Sequence, residues 1–103
     1  VAACERIING EFHDQFVVEI IQGGAGTSTN MNANEVIANV ALEIIGKEKG
    51  DYDSISPLDH VNMSQSTNDT YPTALLVGFL KEYDPLLEAI KSLSDAFYAK
   101  GRE

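Results

Sequence analysis

The sequence predicts a mainly α-helical chain, and three observations carry that prediction. Between about Thr29 and Ile45, apolar residues (Ala33, Ile37, Val40, Ala41, Ile44) recur at threes and fours, the period of one helix face. From Pro72 onward the same period returns, with Leu76, Leu80, Tyr83, Leu87, Ile90 and Phe97 on one stripe of a long helix. No two segments pair convincingly as strands, and no internal repeat is present.

The elements follow in chain order. "VAACERII" reads as a helix with no cap before it, and Asn9-Gly10 supplies the turn after it. A start inside a helix without Met, and an abrupt stop after "AFYAKGRE", predict a piece cut from a longer protein. "FVVEII" (16–21) is apolar and β-branched, and reads equally as a short buried strand or as one turn of helix. In the helix that follows, Asn32 and Glu35 have the spacing of a capping box, and Gly46 is placed as its C′ residue. Residues 47–57 are charged and turn-rich, hence a loop, and residues 58–66 form a short polar segment of no assigned form. Pro72 suits the first turn of the last helix, with Asp69 or Thr70 as its cap, and Pro85 is expected to kink that helix near Asp84.

Composition narrows the function classes. At 103 residues the chain is no more than one small domain by size, and 44% hydrophobic content is that of a globular protein. A net charge of −9 argues against nucleic acid and against anionic membrane surfaces, both of which require basic patches. No apolar run reaches about 18 residues, so no membrane helix is expected, and the N-terminus lacks the form of a signal peptide. Cys4 is the only cysteine, which fits a reducing compartment and a cytoplasmic location. The sequons at Asn62 and Asn68 then have no export to serve.

Two polar stretches stand out. "GGAGTSTNMNAN" (23–34) clusters Thr27, Ser28, Thr29, Asn30, Asn32 and Asn34, and "SQSTND" (64–69) repeats that chemistry about forty positions later. A turn and a helix cap account for Gly26 and one hydroxyl of the first, and Asp69 or Thr70 for the cap of the second, leaving the other polar side chains in surplus. The run Gly24-Ala25-Gly26-Thr27-Ser28-Thr29 nearly matches G-x-G-x-x-G, but Thr29 replaces the third glycine and no basic residue awaits a phosphate. Ser66 as a nucleophile would need His60 as base, with no acid in view to orient it, and His13 has no partner. Two histidines and one cysteine lie too far apart for a metal site by spacing, and no cofactor is called for. Clustered neutral donors suit a carboxylate, and bind it most tightly where negative charge develops in a reaction. That fits removal of a proton from the carbon beside a carboxylate.

"QGGAGTSTNMNANEVIANVALEIIG" and "LDHVNMSQSTNDTYPTA" resemble the first two signature regions of the aspartate ammonia-lyases (aspartases), within the aspartase/fumarase superfamily. The similarity is close over roughly residues 15 to 80 and extends into the flanks. Class II fumarases typically read S-G-T-Q-x-N-M-N and S-S-N-D at these places. Here Ala25-Gly26-Thr27-Ser28-Thr29-Asn30 and Ser66-Thr67-Asn68-Asp69 favour the aspartase branch. The resemblance implies a mostly helical fold whose long helices from four subunits form a central bundle, with each active site drawn from three subunits. It implies a reversible, cofactor-free elimination that converts L-aspartate to fumarate and ammonia. By motif position, Thr27, Ser66 and Thr67 would hold the β-carboxylate and its doubly charged aci form, and Asn68 would contact the amino group.

The chain also departs from the family pattern. Aspartases commonly read H-P-N-D-H where this chain has Ser56-Pro57-Leu58-Asp59-His60, so the superfamily's secondary dicarboxylate site is not carried over with Ser56 and Leu58 in place. The family's base is a serine in a G-S-S-x-M-P-x-K-x-N loop that these residues lack, together with its lysine and a later threonine–histidine pair. No catalytic base is therefore assigned here, and the chain alone is expected to be inactive. The resemblance places residues 1–68 at the end of an N-terminal lyase domain and 69–103 at the start of the helical-bundle domain. The readings that stay open are an aspartase, a class II fumarase-like lyase, and a non-catalytic helical module that self-associates.

Overall fold

The computed structural model describes residues 1–103. Its α-helices are α1 (Ala2–Ile8), α2 (Thr27–Ile44) and α3 (Thr67–Lys100), joined through a 3₁₀ turn at His13–Gln15 and a π-helical turn at Pro57–Val61. There is no strand. The chain divides into two compact units, Val1–Pro72 and Thr73–Glu103.

α1 has seven residues and no side-chain cap. A helix this short does not persist by itself and relies on what it buries. Ala3 and Ile7 pack against Val36 and Val40 of α2, and Phe12, Ile37 and Ala41 close the cluster. Asn9 and Gly10 (φ 101) turn the chain as expected, and His13 completes the end of the helix, its Nε2 2.8 Å from the Ile7 carbonyl. A carbonyl can only accept, so that nitrogen carries the proton.

Residues 16–21 are neither strand nor helix, and Val17, Ile20 and Ile21 are exposed. No neighbouring strand offers a ladder, and a side chain serves the backbone instead: Asn32 Oδ1 accepts from the Val17 N–H at 3.0 Å, and Asn32 Nδ2 donates to the Gln15 carbonyl at 3.1 Å. The capping box expected of Asn32 is thereby absent. α2 begins two residues early, with Gly26 at its N-cap, and Glu35 accepts from the Tyr52 hydroxyl. The C-terminal expectation holds. Gly46 (φ 74) donates to the Glu43 carbonyl at 3.1 Å and Lys47 to the Leu42 carbonyl at 2.9 Å, the paired bonds of a Schellman ending.

α2 is the central element of the first unit. The expected apolar face is only partly the buried one: Val40 is buried, Ala33, Ile37 and Ala41 are half-buried, and Ile44 is exposed. Full burial falls on Val36 and Val40 and, around the helix, on Asn30, Asn34, Ala38 and Leu42. Residues two apart on a helix point about 200° from one another, so α2 is covered on two sides. α1 covers one side and the Pro57–Val61 turn packs on the other. The turn is started by Ser56, whose Oγ accepts from the N–H groups of Leu58 (3.2 Å) and Asp59 (3.0 Å). Asn62 follows it and binds the second side of α2. Its Oδ1 accepts from Asn30 Nδ2 (3.1 Å) and Asn34 Nδ2 (2.9 Å), and its Nδ2 donates to the Gln65 carbonyl at 3.0 Å.

α3 starts at Thr67, five residues before the expected first-turn proline, and continues through Pro72 and Pro85 to Lys100. A proline deletes one backbone hydrogen bond and leaves its neighbours in place, so tandem turns on either side keep the helix going. Throughout the second unit every residue is exposed, including the whole predicted stripe from Leu76 to Phe97 and also Leu75, Val77 and Phe79.

Asn62→Leu leaves the buried Asn30 amide without an acceptor and the Asn34 amide with only a weak one, the Met31 sulfur at 3.7 Å. At about 1–3 kcal/mol for each orphaned buried donor, urea unfolding should show a loss of about 2–5 kcal/mol. Asn62→Asp keeps both acceptances and loses one donation, so its loss should be the smaller. Equal stability of the leucine variant and the parent would refute the network's importance.

Candidate active site

The surplus polar residues of the sequence fall at the N-terminal ends of two helices. Thr27, Ser28 and Thr29 are the first three residues of α2. The first bond of that helix runs from the Asn30 N–H to the Gly26 carbonyl at 3.0 Å, so the three preceding N–H groups have no acceptor within the helix. No side chain caps them, and no acidic residue lies in the first turn. Such an end attracts an anion by about 0.3–1 kcal/mol at an exposed surface, and by up to about 2 kcal/mol where partly buried.

Ser66 is the residue before α3, with Thr67 and Asn68 as the first two residues of the helix. Ser66 Oγ accepts from the Asn68 N–H at 3.2 Å, so Ser66 does the capping that Asp69 or Thr70 was expected to do. The Ser66 carbonyl takes the N–H groups of Asp69 and Thr70, both at 3.0 Å, and the Thr70 hydroxyl at 3.2 Å. Because a hydroxyl both accepts and donates, Ser66 keeps its own hydrogen for a ligand. Pro72 has no N–H, which leaves the Asn68 carbonyl without its usual partner four residues on. Ser64 makes the turn into this helix in the left-handed region (φ 59), a conformation that costs a non-glycine residue about 1–3 kcal/mol and tends to occur where function requires it.

Contact between these two helix starts runs through Gly26 and Tyr71. Gly26 is buried at φ 75, and a Cβ built on it would overlap Cδ1 and Cε1 of the Tyr71 ring and lie 2.6 Å from Cζ. Asn62 holds the other side, linking the Gln65 carbonyl, just before Ser66, to the first two turns of α2. The N-cap of α2, next to Thr27, is thus in contact with α3 one turn beyond Thr67 and Asn68. The side chains of Asn30, Asn32 and Asn34 are engaged elsewhere. The first and third are buried against Asn62, and Asn32 is committed to residues 15 and 17.

His60 is likewise committed. Its Nδ1 accepts from the Ser56 N–H at 2.8 Å, while the Ser66 Oγ is engaged with Asn68, so the pair does not form a base and a nucleophile. Ser56 donates to Asp59 at 3.0 Å, and Leu58 is exposed. A cavity of about 310 Å³ lies on another flank of α2 and is lined by Phe12, Val36 and Val40 together with Glu35, Glu43 and Lys49. Two carboxylates to one ammonium make it a poor place for a dicarboxylate.

A family profile described as lyase matches residues 1–103, the whole length of the chain. The chain belongs to that lyase family. It is 62% identical over 101 residues to the aspartate ammonia-lyase of Pseudomonas aeruginosa and 55% identical over 103 residues to that of Bacillus subtilis. These matches cover 98% and 100% of the chain but 21% and 22% of the relatives, so the chain spans about a fifth of their length. A crystal structure of fumarate lyase:delta crystallin from Brucella melitensis superposes with a TM-score of 0.82 at 59% identity, over 100% of this chain and 24% of that one.

Asn62, Tyr71 and the role of Gly26 as a contact point carry no signal in the local sequence. Asn62 sat in a segment with no periodicity. Tyr71 read as an ordinary helix aromatic, because nothing local places its ring on a glycine 45 positions earlier.

On the other flank of α2, the Tyr52 phenol is raised above its ordinary value near 10. Its donation to Glu35 is the largest cause, opposed by the amide of Asn39. A folded pKa above the unfolded one contributes stability that is complete below the unfolded value and is lost as pH rises through the folded value. In a phenolate absorbance titration Tyr52 should ionise above its ordinary pH, and Glu35→Gln should bring that ionisation down. No change in Glu35→Gln would contradict the assignment.

Proposed function

We propose that this chain supplies part of the substrate pocket of an aspartate ammonia-lyase, which removes ammonia from L-aspartate reversibly to give fumarate, in the cytoplasm and without a cofactor. The observation that carries the reading is the meeting of two helix starts, both lined with neutral donors and held together by Asn62 and by the Gly26–Tyr71 contact. Relatives named aspartate ammonia-lyase at 48–62% identity support it.

In this reading Thr27, Ser66 and Thr67 donate to the β-carboxylate, and Asn68 contacts the amino group. When the proton leaves the β-carbon, its charge moves onto the carboxylate oxygens, and donors already aimed there strengthen as the charge grows. Neutral donors suit this step. They bind the first charge without neutralising it completely, and gain more from the second. The base and a countercharge for the remaining carboxylate come from parts of the protein beyond these residues. Residues 1–68 then close an N-terminal domain, and 69–103 open a helical-bundle domain.

The bundle also accounts for α3. Leu75, Leu76, Val77, Phe79 and Leu80 all lie open, on more than one stripe of the helix. Contiguous exposed apolar surface of this kind marks an association face. The natural partner is a further copy of the protein in a homo-oligomer, the family's tetramer.

Two measurements test the proposal in a protein of the relatives' length. Asn68→Ala removes a hydrogen bond to a charged group, so kcat/KM for aspartate should fall on the order of 10–100-fold, with the melting temperature little changed. Parallel loss of activity and stability would return Asn68 to a structural role. Sedimentation at micromolar concentration should report a multimer that Leu80→Glu shifts toward smaller species. A monomeric parent would defeat the assembly.

A further inference from the structure

The Gly26–Tyr71 contact joins the starts of the two helices that carry the donors. Gly26 is the N-cap of α2, immediately before Thr27. Tyr71 lies four residues after Thr67 and three after Asn68, and so shares their side of α3. Any shift of the Tyr71 ring against Gly26 changes the separation of Thr27 from Thr67 and Asn68. The fit has no slack: three ring atoms occupy the space a Cβ on Gly26 would need. Gly26 is also required by its backbone, because φ 75 lies in the region that favours glycine.

We propose that Tyr71 is a positioning residue: its ring, seated on Gly26, sets the gap between the donors of α2 and those of α3, and with it how tightly a dicarboxylate is held. The proposal rests on the reading of Thr27, Ser66, Thr67 and Asn68 as carboxylate and amine contacts. It concerns the ring and not the hydroxyl. A flat, rigid ring spans a gap that the shorter side chain of leucine, with the same number of torsions, does not fill. Because short hydrogen bonds weaken steeply with distance and angle, a displacement of the order of 1 Å is enough to lose them.

The test uses the full-length protein, with KM for aspartate and the inhibition constant of succinate, a dicarboxylate without the amine, as readouts. A merely structural role lowers the active fraction and leaves both constants unchanged. Positioning moves both. Tyr71→Phe keeps the ring and should leave them within about twofold of the parent. Tyr71→Leu should raise both on the order of tenfold, the loss of roughly one good charged hydrogen bond. Gly26→Ala, which puts a Cβ where the ring sits and strains the backbone at φ 75, should raise them further. Parent-like constants in Tyr71→Leu would overturn the proposal. Thr27→Ala and Ser66→Ala separate it from the reading beneath it. If these two raise the succinate constant and Tyr71→Leu does not, the spacer is wrong and the pocket stands. If neither does, the pocket assignment is wrong and the spacer falls with it.

Discussion

One carboxamide organises the first unit of this protein. Asn62 uses both lone pairs of its oxygen on the buried amides of Asn30 and Asn34 and a hydrogen of its nitrogen on the Gln65 carbonyl. Without it, the buried Asn30 amide would be unpaired and that of Asn34 would keep only the weak Met31 sulfur, an arrangement native structures avoid. With it, the segment from Pro57 to Ser66 is fastened to the start of α2. The helix α3 then begins beside Gly26 and not elsewhere. Core burial in the chain is thin, limited to Ala3, Val36, Ala38, Val40 and Leu42 among apolar residues. A directional polar network can fix register where so small a core would permit sliding.

What Asn62 positions is a pair of helix starts, and their chemistry follows from backbone geometry. Free N–H groups at the beginning of α2, with no acidic side chain to occupy them, present partial positive charge without a lysine or arginine. That matters in a chain of net charge −9, whose long-range field repels an anion. Surface charges farther away than a screening length of about 8–10 Å are largely screened, so donors in contact with the ligand outweigh them. A carboxylate ligand would thus be held by local donors against an unfavourable overall field.

Commitment of side chains elsewhere sharpens the site. Asn32, Asn39, His13, His60 and Ser56 all bind backbone groups, and in doing so finish helix ends or pin loops. Removed from the list of candidate chemical groups, they leave Thr27, Thr67 and Asn68 with side chains that serve no evident structural bond, and Ser66 with a hydrogen to give. The second unit contributes an open helix whose apolar residues are all exposed.

Local sequence by itself determined the helical class, because the period of apolar residues in 29–45 and 72–97 is a property of the backbone's own geometry. It determined the end of α2, since Gly46 alone can take φ 74 without cost. It also determined the candidate residues, whose surplus of hydroxyls and amides has no local use. Tertiary structure decided which of those polar residues are free. Asn30 and Asn34 look like Thr27 in sequence, yet only the arrival of Asn62, some thirty residues later, removes them from the site. It decided that "FVVEII" is an exposed irregular segment, since a strand exists only where another strand meets it. It decided that α3 starts at Thr67, because Ser66 is a better cap there than proline is a start at 72. It also set Tyr71 against Gly26. Contacts between residues far apart in the chain depend on packing in three dimensions, and no periodicity along one segment contains them.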